Sequence, residues 1–177
     1  MSSAPSAPPP GLLTGLIVLG AGVAALFDGV AFHQLLQWHH MLSGWHRPDT
    51  VQNLELNTRA DGWFHVAAAT VLAVGVLLVV RSRPAARPLS RLLVGAVLLG
   101  FGGFNVVEGI VDHLVLGVHH VREGADATAY DLGFLAVSAL IAVTGAVLAG
   151  SLLAASENLG GRDAGSGSRR PGRRLAP

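Results

Sequence analysis

Four apolar blocks separated by polar stretches run along the 177-residue chain. The blocks predict membrane spans at residues 12–40, 60–80, 91–120 and 131–155, each long enough for the roughly 20 residues that a helix needs to cross a bilayer core. Residues 1–10 are rich in Ser, Ala and Pro, and residues 156–177 in Gly, Ser and Arg, so both ends are predicted to be disordered. We therefore expect an all-α membrane protein with a four-helix transmembrane bundle at residues 11–155.

Composition supports a membrane protein and narrows its chemistry. Charged residues make up 13% of the chain, about half of the roughly 25% that soluble domains carry. The chain has no Cys, which excludes disulfides, thiolate metal sites and thiol catalysis. Its two Met residues, Met1 and Met41, also argue against a thioether site for copper(I).

The placement of arginine predicts the orientation of the bundle. All 12 basic residues are Arg. One side of the predicted bundle carries Arg81, Arg83, Arg87, Arg91, Arg162, Arg169, Arg170, Arg173 and Arg174. The other side carries Arg47, Arg59 and Arg122, together with Trp38, Trp45, Trp63 and Tyr130. Because basic residues concentrate on the cytoplasmic side and aromatic residues gather at membrane interfaces, both termini are predicted to be cytoplasmic.

An internal repeat relates the first and third spans. Without gaps, residues 12–40 and 92–120 share 11 identities in 29 positions at a constant offset of 80. Asp61 recurs as Asp131 at an offset of 70, which extends the repeat to the second and fourth spans. We therefore expect a 2+2 parallel repeat whose symmetry axis follows the membrane normal.

Recurring glycines predict that the first and third spans pack closely. The matched pairs are Gly15 and Gly95, Gly20 and Gly100, and Gly22 and Gly102. Small residues allow membrane helices to approach each other.

The ionisable residues of the predicted spans fall in one layer. Asp28 and Glu108 lie 16 residues beyond Leu12 and Leu92, which is roughly 25 Å along a helix and in the outer part of a core of ~30 Å. Ionisable groups inside a membrane are costly and usually mark function. The ordinary alternative is that interfacial His and acidic side chains reach into the lipid headgroups.

Carboxylates and imidazoles that project from several helices form the metal sites of helical bundles, and this mixture suits copper, iron or zinc. The candidate ligands are Asp28, His33, His39, His40, Asp61, His65, Glu108, Asp112, His113, His119 and His120. Gln37, Asn105 and Asp131 are candidate hydrogen-bond partners of these ligands. Helical spacing predicts that His33, Gln37 and His40 share one face. The site can be mononuclear or dinuclear, and catalytic, metal-delivering or structural, so enzyme activity stays open.

Two other functions stay open. His33 and His113 can be axial ligands of a haem, with Gly29 and Gly109 leaving room for the porphyrin. An intramembrane Asp/Glu/His chain is also typical of proton and ion transporters. The predicted cytoplasmic halves of the spans are apolar, however, and offer such a path only a few Ser, Thr and Asn residues.

Three motifs resemble a known family. They are FDGVAFHQLLQWHHM at residues 27–41, DGWFH at residues 61–65 and EGIVDH at residues 108–113. The chain resembles bacterial four-span membrane proteins with a domain of unknown function. The resemblance implies a multi-pass protein of the bacterial plasma membrane, with a redox or metal-handling role linked to respiratory oxidases. The expected partners are the lipid bilayer and either a second copy of the chain or a respiratory or metal-handling membrane protein. Nucleic acid is not expected, because the Arg-rich tail lacks aromatic residues.

Overall fold

Four long helices form the fold in the computed structural model, which describes residues 10–82, 90–124 and 126–166. Helix α1 spans Pro10–Asp28 and helix α3 spans Ser90–Glu108, and each continues into a π-helical segment, Gly29–Leu35 and Gly109–Val115 respectively. Helix α2 spans Val51–Ser82 and helix α4 spans Ala127–Ser166. All four are long and apolar enough to cross a membrane. The prediction of an all-α protein with four spans is confirmed.

The helices form a row with α1 and α3 at its centre. Helix α1 packs against α2 and α3, and α3 also packs against α4, while the described parts of α2 and α4 do not touch. At one end of the central pair, Leu12, Leu16 and Ala96 form an apolar core. Valines on the outer sides of α2 and α4, such as Val66 and Val137, are exposed in the isolated chain, which is expected of surfaces that face lipid tails.

Only one of the three predicted glycine pairs lies between α1 and α3. A Cβ atom at Gly20 would collide with the carbonyl oxygen of Val97, and one at Gly100 with that of Ile17. The other pairs receive the outer helices. Gly15 and Gly22 lie against α2, at Val79 and Leu72, and Gly95 and Gly102 lie against α4, at Ala149 and Ala142. The prediction was right that these positions are close contacts, but wrong about the partner of four of the six glycines.

Several helix boundaries differ from the predicted ones. The first and third spans, predicted to continue to residues 40 and 120, end as helices at Leu35 and Val115. Helix α2 begins at Val51 rather than residue 60, because the Thr50 hydroxyl caps it by accepting a 3.2 Å hydrogen bond from the backbone N–H of Asn53. Residues 156–166, predicted to be disordered, continue α4. The disorder predicted for residues 1–9 and 167–177 lies outside the described residues.

The two π-helical segments end in the same way. Gln37 and Gly117, 80 positions apart, both adopt positive φ, at 49° and 57°. The next residues turn back, so that the N–H of Trp38 donates to Phe32 and that of Val118 to Asp112, at 3.0 and 2.9 Å. Because of this reversal, His39 turns back towards the helix that precedes it, and so does His119 in the second half. We call the end of the bundle that carries residues 36–50 and 116–126 the loop face.

Candidate metal centre

In the first half of the chain, a buried carboxylate holds two histidines. Asp61, on α2, accepts hydrogen bonds from His33 Nδ1 at 2.9 Å and from His40 Nδ1 at 2.7 Å. The same carboxylate accepts the backbone N–H of Met41 at 2.7 Å. A carboxylate can only accept in these contacts, so the Nδ1 atoms carry the protons. The Nε2 atom of His33 is left to face the inside of the bundle, 3.1 Å from Asp28 Oδ2.

The second half repeats this arrangement around Asp131, on α4. Its carboxylate accepts His120 Nδ1 at 2.6 Å and the backbone N–H of Val121 at 2.9 Å. His113 Nδ1 lies 3.5 Å from Asp131 Oδ1, too far for a good hydrogen bond. His113 Nε2 lies 3.1 Å from Glu108 Oε1. Both halves therefore place an imidazole between an outer Asp and an inner carboxylate.

His39 and His119 join the two halves. His39 Nδ1 donates to the carbonyl oxygen of Val121 at 2.8 Å, and His119 Nδ1 donates to that of Met41 at 3.2 Å. Burial and the nearby imidazoles of His119 and His33 lower the pKa of His39 from 6.5 to about 2. His39 is therefore neutral, with its lone pair on Nε2.

Six buried side chains meet where the halves join, and we call them the histidine cluster. They are Asp28, His33, His39, Glu108, His113 and His119. None is more than 7% exposed. Ligand atoms of His33, His39 and His119 all lie within 4.8 Å of one another, as do those of Glu108, His113 and His119.

Several inward-facing atoms of the histidine cluster lack a hydrogen-bond partner among the described residues. They are Asp28 Oδ2, His33 Nε2, His39 Nε2, Glu108 Oε2, and both ring nitrogens of His113. Buried polar atoms are nearly always paired. Where His33 Nε2 faces a carboxylate oxygen of Asp28 at 3.1 Å, the contact requires either a proton on Nε2 or a metal ion between the two atoms. The arrangement can therefore hold a metal ion.

The remaining candidate ligands lie outside the histidine cluster. The outer hydrogen bonds are formed by Asp61, His40 and His120. Asp131, which was predicted as a hydrogen-bond partner, takes part in them as well. His65 Nδ1 instead donates to the backbone oxygen of Asp61 at 2.6 Å. Asp112 is half-buried and belongs to neither group of converging ligand atoms.

Gln37 and Asn105, the other two expected hydrogen-bond partners, differ from each other. Gln37 is exposed, because the π-helical turn and its positive φ remove it from the face of His33 and His40. Asn105 is buried on α3, one turn before Glu108, and its Oδ1 has no hydrogen-bond partner among the described residues.

Three supporting residues were not predicted. Asn57, fully buried on α2, accepts the N–H of Leu42 at 3.0 Å and donates to the carbonyl of His46 at 2.7 Å. Ser43 donates to Glu123 at 2.8 Å and so ties the two loops together. A buried polar position on a helix outside the predicted span was the available signal for Asn57. None existed for the contact between Ser43 and Glu123.

The space next to Gly29 and Gly109, assigned above to a porphyrin, is occupied. A Cβ atom at Gly29 would lie 2.8 Å from His65 Nε2, and one at Gly109 would lie 3.0 Å from Leu135. These glycines admit neighbouring side chains instead.

The cluster opens towards the loop face and is closed towards the other end. A cavity of about 860 Å³ at the loop face is lined by His39, His40 and His120, among others. Towards the other end of the helices, Thr70 and Thr144 are exposed and donate within their own helices, to Val66 and Leu140. Among the described residues, Asn105 and Ser138 are the buried polar groups that a proton or ion path from the cluster towards that end could use.

Comparison with known proteins identifies a family and no individual relative. The family described as predicted membrane protein (DUF2243) matches residues 15–151. That range includes every residue of the histidine cluster. No curated protein and no solved structure matches the chain.

Proposed function

We propose that this chain, which belongs to the DUF2243 family of predicted membrane proteins, holds copper, iron or zinc as one ion or an ion pair in the histidine cluster. One observation carries the proposal. The Nδ1 atoms of His33, His39 and His119 donate outwards to fixed acceptors, which directs their Nε2 atoms into the cluster, where those of His33 and His119 face Asp28 and Glu108. Metal-binding histidines are oriented by such outer hydrogen bonds.

The charge of the cluster also supports a bound cation. Asp28 and Glu108 bring two carboxylates into a site whose residues are nearly inaccessible to solvent. Removing a charge from water costs several kcal/mol unless an opposite charge compensates it. A bound divalent ion would compensate these charges and use the Nε2 atom of His39, which has no hydrogen-bond partner among the described residues.

We place the site on the extracytoplasmic side of a bacterial plasma membrane. The arginine distribution supports this orientation, because the loop face is the side with few arginines. His39 lines the cavity at that face, so an ion or small solute has its shortest route to the cluster from outside. The proposal extends to a redox or metal-handling role linked to respiratory oxidases, because mixed histidine and carboxylate ligands suit copper and iron.

Elemental analysis and an absorption spectrum of the full chain, purified in detergent without chelator, test the proposal. We expect about one or two equivalents of copper, iron or zinc, and much less in the His33→Ala and His113→Ala variants. His46→Ala is the matched control, because His46 is an exposed loop histidine outside the cluster. Metal at background level in the wild-type protein contradicts the proposal, and a Soret band replaces it with haem.

A further inference from the structure

We infer that the two halves of the histidine cluster bind metal unequally, and that Glu108, His113 and His119 form the tighter site, with a ligand set that suits iron(II) or zinc. The inference rests on the proposed function. It adds that Glu108 selects which half is occupied first and which class of ion is held there.

Glu108 contacts two imidazoles with one oxygen. Its Oε1 lies 3.1 Å from His113 Nε2 and 3.3 Å from His119 Nε2. The three side chains therefore converge as a two-histidine, one-carboxylate triad. Separations of about 3 Å are expected for ligands that bind one ion at about 2.1 Å.

The equivalent triad in the first half is incomplete. Asp28 Oδ2 lies 3.1 Å from His33 Nε2, but among the described residues Asp28 has no ion-pair contact with His39 within 4.0 Å. The repeat places Asp where its other copy has Glu, and the missing methylene shortens the reach of the carboxylate. The pseudo-two-fold symmetry is therefore broken at the ligands themselves.

His119 makes the two halves compete. It also lies within the group formed with His33 and His39, and one Nε2 lone pair binds one ion. An ion on Glu108, His113 and His119 therefore leaves the first half with two imidazoles and the shorter carboxylate.

The ligand types differ in the ions that they favour. Two histidines and one carboxylate are the ligand set of non-haem iron(II) sites and of some catalytic zinc sites, whereas a three-histidine group suits zinc or copper. The tighter triad has the first of these ligand sets.

Titration of the chelator-treated full chain with iron(II), without oxygen and followed by calorimetry, tests the inference. We expect Glu108→Gln to weaken the tighter site at least about 10-fold more than Asp28→Asn does, since even loss of an outer partner commonly costs about 10–100-fold. Glu55→Gln, an exposed change on α2, controls for the loss of a carboxylate elsewhere.

An exchange of the two carboxylates gives a second test that does not depend on removing a carboxylate. In the wild-type protein, His113→Ala should weaken the tighter site more than His33→Ala does. In the Asp28→Glu/Glu108→Asp protein, this order should reverse.

The outcomes separate the inference from the proposed function. Equal effects of the two carboxylate changes, an unchanged order after the exchange, or a copper site without an iron(II) or zinc site overturns the inference alone. A wild-type protein that binds none of these metals overturns both.

Discussion

The imidazole rings of His39 and His119 stack in parallel across the junction of the two halves, with centroids 4.5 Å apart and planes inclined by 6°. Each ring donates its Nδ1 proton to a backbone carbonyl of the opposite loop, at Val121 or Met41. Parallel stacking at this distance disfavours a positive charge on both rings. The protonation state of His39 and His119 is therefore linked to the contact between the two loops.

Acid should destabilise the metal-free protein through His39. Its pKa is about 2 in the folded chain, lowered by burial and by His119 and His33, and about 6.5 in an unfolded chain. The unfolded state takes up the proton first, so the stabilising contribution is present above pH 6.5 and decreases as pH falls below it. The expected loss is on the order of 1 kcal/mol per pH unit. Thermal unfolding in detergent at pH 5 and pH 7.5 measures it, and a His39→Asn variant with the same pH dependence as wild type contradicts it.

Asp61→Asn and Asp131→Asn should weaken metal binding without unfolding the protein. The amide keeps the shape of the carboxylate, but at Asp61 it no longer fixes the donating tautomer of His33 by charge, and at Asp131 it no longer attracts the His113 ring, whose Nδ1 lies 3.5 Å away. We expect affinity to fall by about 10–100-fold, and by less than in His33→Ala. Competition with a chelator of known affinity measures this difference. Asp49→Asn, an exposed loop change, should leave affinity unchanged.

Gly100→Ala should disrupt the contact between α1 and α3. The added methyl group would meet the backbone oxygen of Ile17, and backbone atoms cannot move aside as a flexible side chain can. The expected destabilisation is about 1–3 kcal/mol, measured as a shift in the midpoint of unfolding. Gly103→Ala is the control, since nothing lies within 4 Å of its added atom. Equal midpoints for the two variants would contradict the described packing.

Asn57→Ala should loosen the first loop and accelerate metal loss. The change leaves the N–H of Leu42 and the carbonyl of His46 without their side-chain partner, at an expected cost of about 2–3 kcal/mol. Hydrogen exchange of residues 40–46 and the rate of metal transfer to a chelator should both increase. The comparison is Gln52→Ala, an exposed position near the start of the same helix, for which both rates should stay close to wild type.

The sequence predicted the four spans because apolar length is the main requirement for crossing a membrane. It also predicted the layer in which the ligands meet, since Asp28, His33 and His39 recur as Glu108, His113 and His119 at a constant offset. All six members of the histidine cluster were among the predicted ligands. The type of each of these residues is read directly from the sequence, so this part of the prediction does not depend on helix geometry.

The division between inner ligands and outer partners was not predictable in the same way. Assignment of faces assumed 3.6 residues per turn, but residues 29–35 are π-helical, which widens the turn and rotates Gln37 away. The contacts of His39 with Val121 and of Ser43 with Glu123 join residues about 80 apart. Such contacts depend on the path of the loop backbones, which a hydropathy pattern does not predict.

The crossing of His39 and His119 to opposite loops imposes an order on biosynthesis. Each carbonyl that orients one of these imidazoles comes from the other half of the chain, and the partner of His113 and His120 is Asp131 on the last helix. A nascent chain with only α1 and α2 inserted has neither the second carboxylate nor the oriented rings. Under the proposed function, capture of a metal ion therefore has to follow the insertion of α4, which would make it a late step of maturation.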